Sequence, residues 1–336
     1  MDRVTTTDIA RLAGVSPSAV SMALNGKPGI SEKTRARILN IVKQTGYLHG
    51  APGRLNSTNA NVAVLFRNEY PLQDRQFYTE LNTSLMEACE SLSYNLLIAS
   101  TFYKGSELKF SDVLRSDMLD GILSYGDIDH NVFFELKALN IPIIVLDSSR
   151  QTGELCHSVQ VDYEHAAYIA TNHLVGLGHR DIAFIGNNKQ RDFNLLVFGG
   201  FQRATSEADI ALSTNRIQLN VYDEDSLDLC INEALSGTQM PTAIFCATDF
   251  YAMRTLQNLH HKGIHVPDDI SVIGIDDVIS SKYLIPALTT MAVDRKEMGR
   301  LGIELLQKAI NGEPCQSVTL PQCKLIVRES TAAPKR

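Results

Sequence analysis

Apolar positions in the first fifty residues recur three and four apart, whereas from Val62 onward they fall into short unbroken runs separated by longer amphipathic stretches. The first pattern is that of helices, the second that of strands buried on both faces and joined by helices. Ile9, Leu12 and Ala13 share one face of a first helix, and Val20, Ala23 and Leu24 look back at it from a second. Gly14 takes the corner, where a positive φ would strain any residue with a Cβ. Ser16 is a natural N-cap, and Pro17 suits the first turn because the N–H it lacks has no helical partner there. This is a helix-turn-helix with Ser18, Ser21, Met22 and Asn25 facing outward. A third helix starts at Ser31, carries Ile38, Ile41 and Val42, and stops at Gly46. The Gly-, Pro- and Asn-rich stretch after it reads as a linker.

Beyond the linker the pattern predicts strands at 62–66, 95–100, 121–125, 142–147, 181–186, 217–221, 242–247 and 271–275. Helices are predicted between them at 80–91, 131–139, 164–177, 227–235 and 250–262. Strand followed by helix, repeated, indicates a doubly wound parallel sheet. There are too many strands for one sheet of ordinary size, so two α/β lobes with a cleft between them are expected. Ligands in such sheets sit outside the carboxyl ends of the strands, which points to Phe66, Asp147, Thr248 and Asp276. The expected fold is a small all-α headpiece followed by two doubly wound lobes.

Charge sharpens this picture. The net charge of −7 looks wrong for a DNA binder, but residues 1–54 carry eight Lys and Arg against three Asp and Glu, a net +5 that leaves −12 for the body. A basic head on an acidic body fits a small phosphate-contacting domain attached to a part with another task. The 336 residues, 44% hydrophobic and 21% charged, suit a multidomain soluble protein. Six scattered cysteines with no C-x-x-C imply reduced core thiols and no metal site. With no apolar leader-like segment and no run near eighteen apolar residues, a cytoplasmic location with no membrane partner is expected, and an exported solute receptor is not. No G-x-S-x-G, P-loop or H-E-x-x-H supports an enzyme, and His260, His261 and His265 are separated by the helix breaker Gly263. No cofactor is implied.

The run from Asp8 to Asn25, with Ser31 to Arg35 and Gly46-Tyr47 after it, resembles the headpiece of LacI/GalR-type repressors. The body agrees: Gly178-His179-Arg180-Asp181-Ile182 resembles the family's G-H-x-x-I, Val266 to Asp277 its V-P-x-D-x-S-V-x-G-x-D-[DN], and Pro286 to Thr290 its P-x-L-T-T. The resemblance implies a homodimer on a palindromic operator, with a body like the periplasmic binding proteins and a small effector in the inter-lobe cleft. It also implies a division into a headpiece at 1–48, a hinge at 49–61 and an effector-binding and dimerisation domain at 62–336. The lobes would interleave, one about 62–160 and 291–320, the other about 161–290 and 321–331. A sugar or sugar derivative is the favoured effector; a purine or nucleoside, or no effector, is the alternative.

In the headpiece, Thr5, Ser16, Ser21, Ser31, Lys33, Thr34 and Arg35 are the expected phosphate contacts, with Pro17, Ser18, Met22 and Asn25 toward the bases. Met22 stands where the family commonly has an Arg that reads guanine, so only apolar contact is expected there. Leu55 matches the family's minor-groove wedge, although Gly50, Pro52 and Gly53 before it disfavour a hinge helix. In the cleft, Phe77, Tyr78, Asp147, Thr248 and Asp276 are the candidate effector contacts, with Asp249 expected to cap its helix. The family's gripping Arg is replaced by Val197, which leaves Arg191 and Arg295 as candidate substitutes.

Overall fold

In a computed structural model, which describes residues 6–24, 29–45, 60–67, 75–104, 107–115, 118–126, 130–148, 156–187 and 192–335, three helices open the chain. They are α1 (Thr6–Ala13), α2 (Pro17–Leu24) and α3 (Glu32–Thr45). Gly14 has φ +61°, and its N–H and that of Val15 donate back to the carbonyls of Arg11 (3.3 Å) and Ala10 (3.0 Å). That pair of bonds is how a left-handed glycine closes a helix. Ser16 Oγ accepts from the N–H of Ala19 at 3.2 Å and starts α2. Ile9, Ala10, Ala13, Val20, Ala23 and Ile38 form the small core. Leu12, expected in that core, is instead 58% exposed. At 100° per residue the face shared by Ile9, Ala10 and Ala13 centres well away from Leu12, and an eight-residue helix has room for one face only. Positions 49–59 of the expected hinge lie outside the described residues.

The body begins with β1 (Asn61–Arg67), α4 (Arg75–Ser91), β2 (Asn95–Lys104), β3 (Glu107–Phe110), β4 (Gly121–Tyr125), α5 (His130–Ala138), β5 (Ile143–Ser148) and β6 (His157–Gln160). It continues with α6 (Tyr163–Gly176), β7 (Ile182–Ile185), α7 (Asp192–Glu207), β8 (Ile217–Gln218), α8 (Glu224–Ala234), β9 (Ala243–Cys246), α9 (Asp249–His261) and β10 (Ser271–Asp276). Last come β11 (Thr289–Ala292), α10 (Arg295–Ile310), β12 (Val318–Thr319) and β13 (Lys324–Ile326). Two sheets result, ordered β12-β6-β5-β4-β1-β2-β3 and β13-β11-β10-β9-β7-β8. Among the described residues every pairing between named strands is parallel except β2–β3 and β11–β13 at the edges. The chain crosses between the sheets after β6, after β11 and after β12. Because β11 pairs with β10, the chain returns to the first sheet after Ala292. One continuous core runs from Val62, Leu81 and Tyr125 of the first lobe to Phe184, Phe245 and Ile273 of the second. Ala63, Leu65, Ile122 and Val132 fill a separate core on the other face of the first sheet.

The long apolar strands appear where the pattern puts them; the polar ones do not announce themselves. β11 reads Thr-Thr-Met-Ala, yet Thr289 and Thr290 are wholly buried, their hydroxyls bonded to Thr331 (3.0 Å) and Asp249 (2.5 Å). His179 of the G-H-x-x-I motif is likewise structural. It is fully buried, its Nε2–H donates to the Ala332 carbonyl at 2.9 Å, and burial lowers its pKa so that it stays neutral.

Helices α6 and α7 approach so closely that a Cβ at Gly200 would lie 2.0 Å from the Glu164 carbonyl oxygen. Gly to Ala in a helix interior ordinarily gains about 1 kcal/mol, but overpacking costs about 1–3 kcal/mol. Gly200→Ala should therefore lower the body's urea unfolding midpoint, and a raised midpoint would contradict this packing.

Candidate functional site

The outer surface of the headpiece is built by caps. Ser16, Pro17, Ser18 and Ser21 are exposed along α2, and Lys33 is exposed at the start of α3. Ser31 Oγ accepts from the Thr34 N–H (3.1 Å) and bonds its hydroxyl (2.8 Å), so both hydroxyls first serve to start α3. Arg35 departs from its expected role. Its Nη1 donates to the carbonyls of Met22 (3.2 Å) and Ala23 (3.0 Å), closing the C-terminus of α2, and the side chain is only 17% exposed. Met22 is half-buried, its sulfur 3.1 Å from where a Cβ on Gly29 would stand, so it is wedged under the turn before α3. Thr5, Asn25 and Leu55 lie outside the described residues, as does Arg191 of the cleft.

The cleft collects the carboxyl ends of β4, β5 and β10 with the starts of α4 and α6. Phe77 and Tyr78 are buried at the start of α4, edge to face at 5.3 Å, and Tyr78 stacks on Tyr125 at 4.7 Å. Asp147 ends β5 with φ +59°. Its carboxylate accepts a short hydrogen bond from the Tyr163 hydroxyl and a longer one, 3.4 Å, from Tyr78. Tyr163 opens α6 and packs edge to face on Phe193 at 4.6 Å. Burial, then the charges of Asp147 and Asp276, hold its hydroxyl well above the ordinary tyrosine pKa. The thiol of Cys323 is pushed up to about 12 by burial and by Asp276, Asp162 and Asp147. Two carboxylates from different sheets, a tyrosine and a thiol thus lie within electrostatic reach of one another beside these aromatic rings. Sequence patterning missed Tyr163 and Phe193 because each sits at a helix start with nothing local to mark it.

Thr248 takes the capping role expected of Asp249. Thr248 is the N-cap of α9, accepting from the Tyr251 N–H at 3.3 Å. Asp249 is wholly buried and accepts from Ser281 Oγ (2.6 Å), Thr290 Oγ1 (2.5 Å) and the Val278 N–H (3.1 Å). Asp276 ends β10 with φ +128° and Asp277 follows with φ +54°. The Asp277 carboxylate turns away to pair with Arg328 at 2.6 Å. Arg295 is engaged elsewhere than with a ligand: it pairs with Glu80 (2.7 Å), donates to the carbonyls of Asp276 and Asp277, and lies 5.3 Å over the Phe77 ring. Val197, at the family's Arg position, is wholly buried.

The matching family models are that of the bacterial regulatory proteins of the lacI family, over residues 5–49, and that of the periplasmic binding protein-like domain, over 171–331. The chain is 31% identical over 334 residues to the ribose operon repressor of Haemophilus influenzae, covering 96% of this chain and 97% of that protein. It is 29% identical over 312 residues to the transcriptional repressor PurR of Histophilus somni, covering 90% and 91%. Among solved structures it is similar to the lac repressor dimer bound to operator and an anti-inducer, with TM-score 0.69, 23% identity and coverage of 99% and 100%. No helix among the described residues is long and apolar enough to cross a membrane.

Two outcomes follow from these contacts. Burial raises the Asp249 carboxyl to about 7, above its unfolded value near 3.9. Its contribution to stability is therefore complete below about pH 4 and is lost as pH rises toward 7. Relative to wild type, Asp249→Asn should gain at least about 1 kcal/mol between pH 4 and 7 in urea melts; a flat difference would contradict the assignment. In the headpiece, Arg35→Met should weaken duplex binding without changing the slope of log affinity against log salt, whereas Lys33→Ala should reduce that slope by about 1.

Proposed function

Because the chain belongs to the lacI family of bacterial regulatory proteins, we propose that it is a transcriptional repressor that binds a palindromic operator as a homodimer and is controlled by a small polar effector in the inter-lobe cleft. The observation that carries the DNA half is the exposed face of α2, presented by the Gly14 corner, the Ser16 cap and the Arg35 clasp. Ser18 and Ser21 on that face, with Ser16, Ser31, Lys33 and Thr34 around it, suit phosphates and base edges. Thr5, Asn25 and the Leu55 wedge belong to the same proposal. Such a protein acts in the cytoplasm, where its operator is, and its body performs no catalysis.

The effector half rests on Asp147 and Asp276 converging on Tyr163, beside the aromatic pair Phe77-Tyr78. Carboxylates accept paired hydroxyls and aromatic faces cover the apolar side of a ring, so a neutral sugar is the favoured class. Thr248, at the end of β9, would add a hydroxyl. A purine is the second reading, supported by those same aromatic faces and by the likeness to PurR.

Selecting duplexes from random DNA with the full-length protein tests the reading. The expected outcome is an approximate palindrome with no guanine requirement opposite Met22, since that side chain offers no hydrogen bond to guanine. A strict guanine there, or no recurring palindrome, would overturn it. Adding ribose, cellobiose or guanine to the selected complex then separates the two effector classes by which one changes the affinity.

A further inference from the structure

The segment 276–281 carries the candidate effector ligand Asp276, and it is held from both lobes. From its own lobe, Asp249 accepts from the Val278 N–H and Ser281 Oγ, and Arg328 takes the Asp277 carboxylate. From the other lobe, α4 supplies two acceptors one turn apart: Glu80 Oε1 accepts from the Ile279 N–H at 2.9 Å, and Gln76 Oε1 from Ser280 Oγ at 2.6 Å. Arg295 joins the two sides. It opens α10, which packs on α4 of the first lobe (Ser84 Oγ donates to the Lys296 carbonyl at 2.8 Å), just after the chain has left β11 of the second sheet. Nε and Nη2 donate to Glu80 Oε2 (3.0 and 2.7 Å), Nη2 also donates to the Asp277 carbonyl (2.8 Å), and Nη1 donates to that of Asp276. A guanidinium can make these four bonds at once because its donors form a rigid planar fork; an ammonium cannot.

The grip falls on unusual backbone. Asp276 and Asp277 are consecutive non-glycine residues with φ of +128° and +54°. Such conformations persist only where the surroundings over-determine them. Arg295 holds the carbonyls of both residues, and it is itself only 8% exposed. The same guanidinium lies over Phe77, so the helix that brings Glu80 also brings the aromatic wall of the cleft.

We propose that Glu80 and Arg295 are a lobe-to-lobe latch: a positioning pair that sets the 276–281 turn, and with it the direction of Asp276, only while α4 is seated against the second lobe. Arg295 is thereby not an effector ligand. Ligand presentation and lobe arrangement become one event, because withdrawing α4, with α10 packed on it, removes Glu80, Gln76 and Arg295 from the turn together. The latch itself is defined on the protein alone; its link to DNA affinity rests on the repressor reading above.

Amide hydrogen exchange on the full-length chain, without DNA or added ligand, tests it. Arg295→Lys, Arg295→Met, Glu80→Gln and the double variant Glu80→Gln with Arg295→Met would be compared with wild type. Peptides covering 276–283 should exchange at least tenfold faster in every variant, and the double variant no faster than Arg295→Met alone, while peptides from α3 and α8 stay unchanged. Arg295→Lys keeps the charge, so it remains informative if the methionine variant does not fold. On the selected duplex, Glu80→Gln and Arg295→Lys should shift affinity several-fold in a common direction, and the packing variant Gly200→Ala should not. Unchanged exchange at 276–283 overturns the latch, and faster exchange with wild-type duplex affinity overturns its link to DNA binding. If wild type selects no duplex, the repressor reading fails by itself and the exchange comparison alone decides the latch.

Discussion

Asp249 is a wholly buried carboxyl group, and the end of the second lobe that faces the first is arranged around it. An unpaired charge in that position would cost several kcal/mol. It is tolerated because two hydroxyls and one backbone N–H converge on it from β11 and the turn after β10. Those donors anchor the second-lobe side of the turn that carries Asp276. Gly274 in β10 leaves the room: a Cβ there would lie 2.4 Å from the Asp249 carboxylate. A polar core residue thus does what an apolar one could not, since it gives the loop one orientation rather than merely burying it.

The headpiece follows a similar economy of contacts. Its core is six small and medium residues, too few to hold three helices in a unique arrangement by area alone. Directional bonds supply the rest: the double bond set at Gly14, the caps at Ser16 and Ser31, and the clasp of Arg35 on the carboxyl end of α2. Arg35 therefore ties the helix expected to read DNA to the helix behind it. Seating Met22 under the turn at Gly29 shortens its reach from that helix, in keeping with a surface of small hydroxyls.

Between the lobes, polar side chains serve both as walls and as ties. Tyr163 of the second lobe meets Asp147 of the first, and Arg295 with Glu80 binds the end of β10 to α4. The three crossings of the chain place β6, β11 and β12 next to this region, so every crossing segment is near the cleft. A molecule bound between Asp147 and Asp276 would therefore act where the lobes are connected.

The chain's own pattern determined the helix-turn-helix, its corner and caps, the run of buried strands, the presence of two sheets and the carboxyl-end positions of Asp147, Thr248 and Asp276. These are local or periodic properties: a glycine with positive φ, a cap and an unbroken aliphatic run carry their physics within a few residues. Tertiary structure alone decided that the threonines of β11 form a core strand, that Asp249 is buried while Thr248 caps, and that Arg35 and Arg295 serve the protein's own carbonyls. The burial of Asp249, the threonines of β11 and the grip of Arg295 depend on partners distant along the chain, as with Arg295 and Glu80, 215 residues apart. A polar side chain carries no mark in its own sequence of whether its partner will be water, a ligand or a carbonyl across the fold.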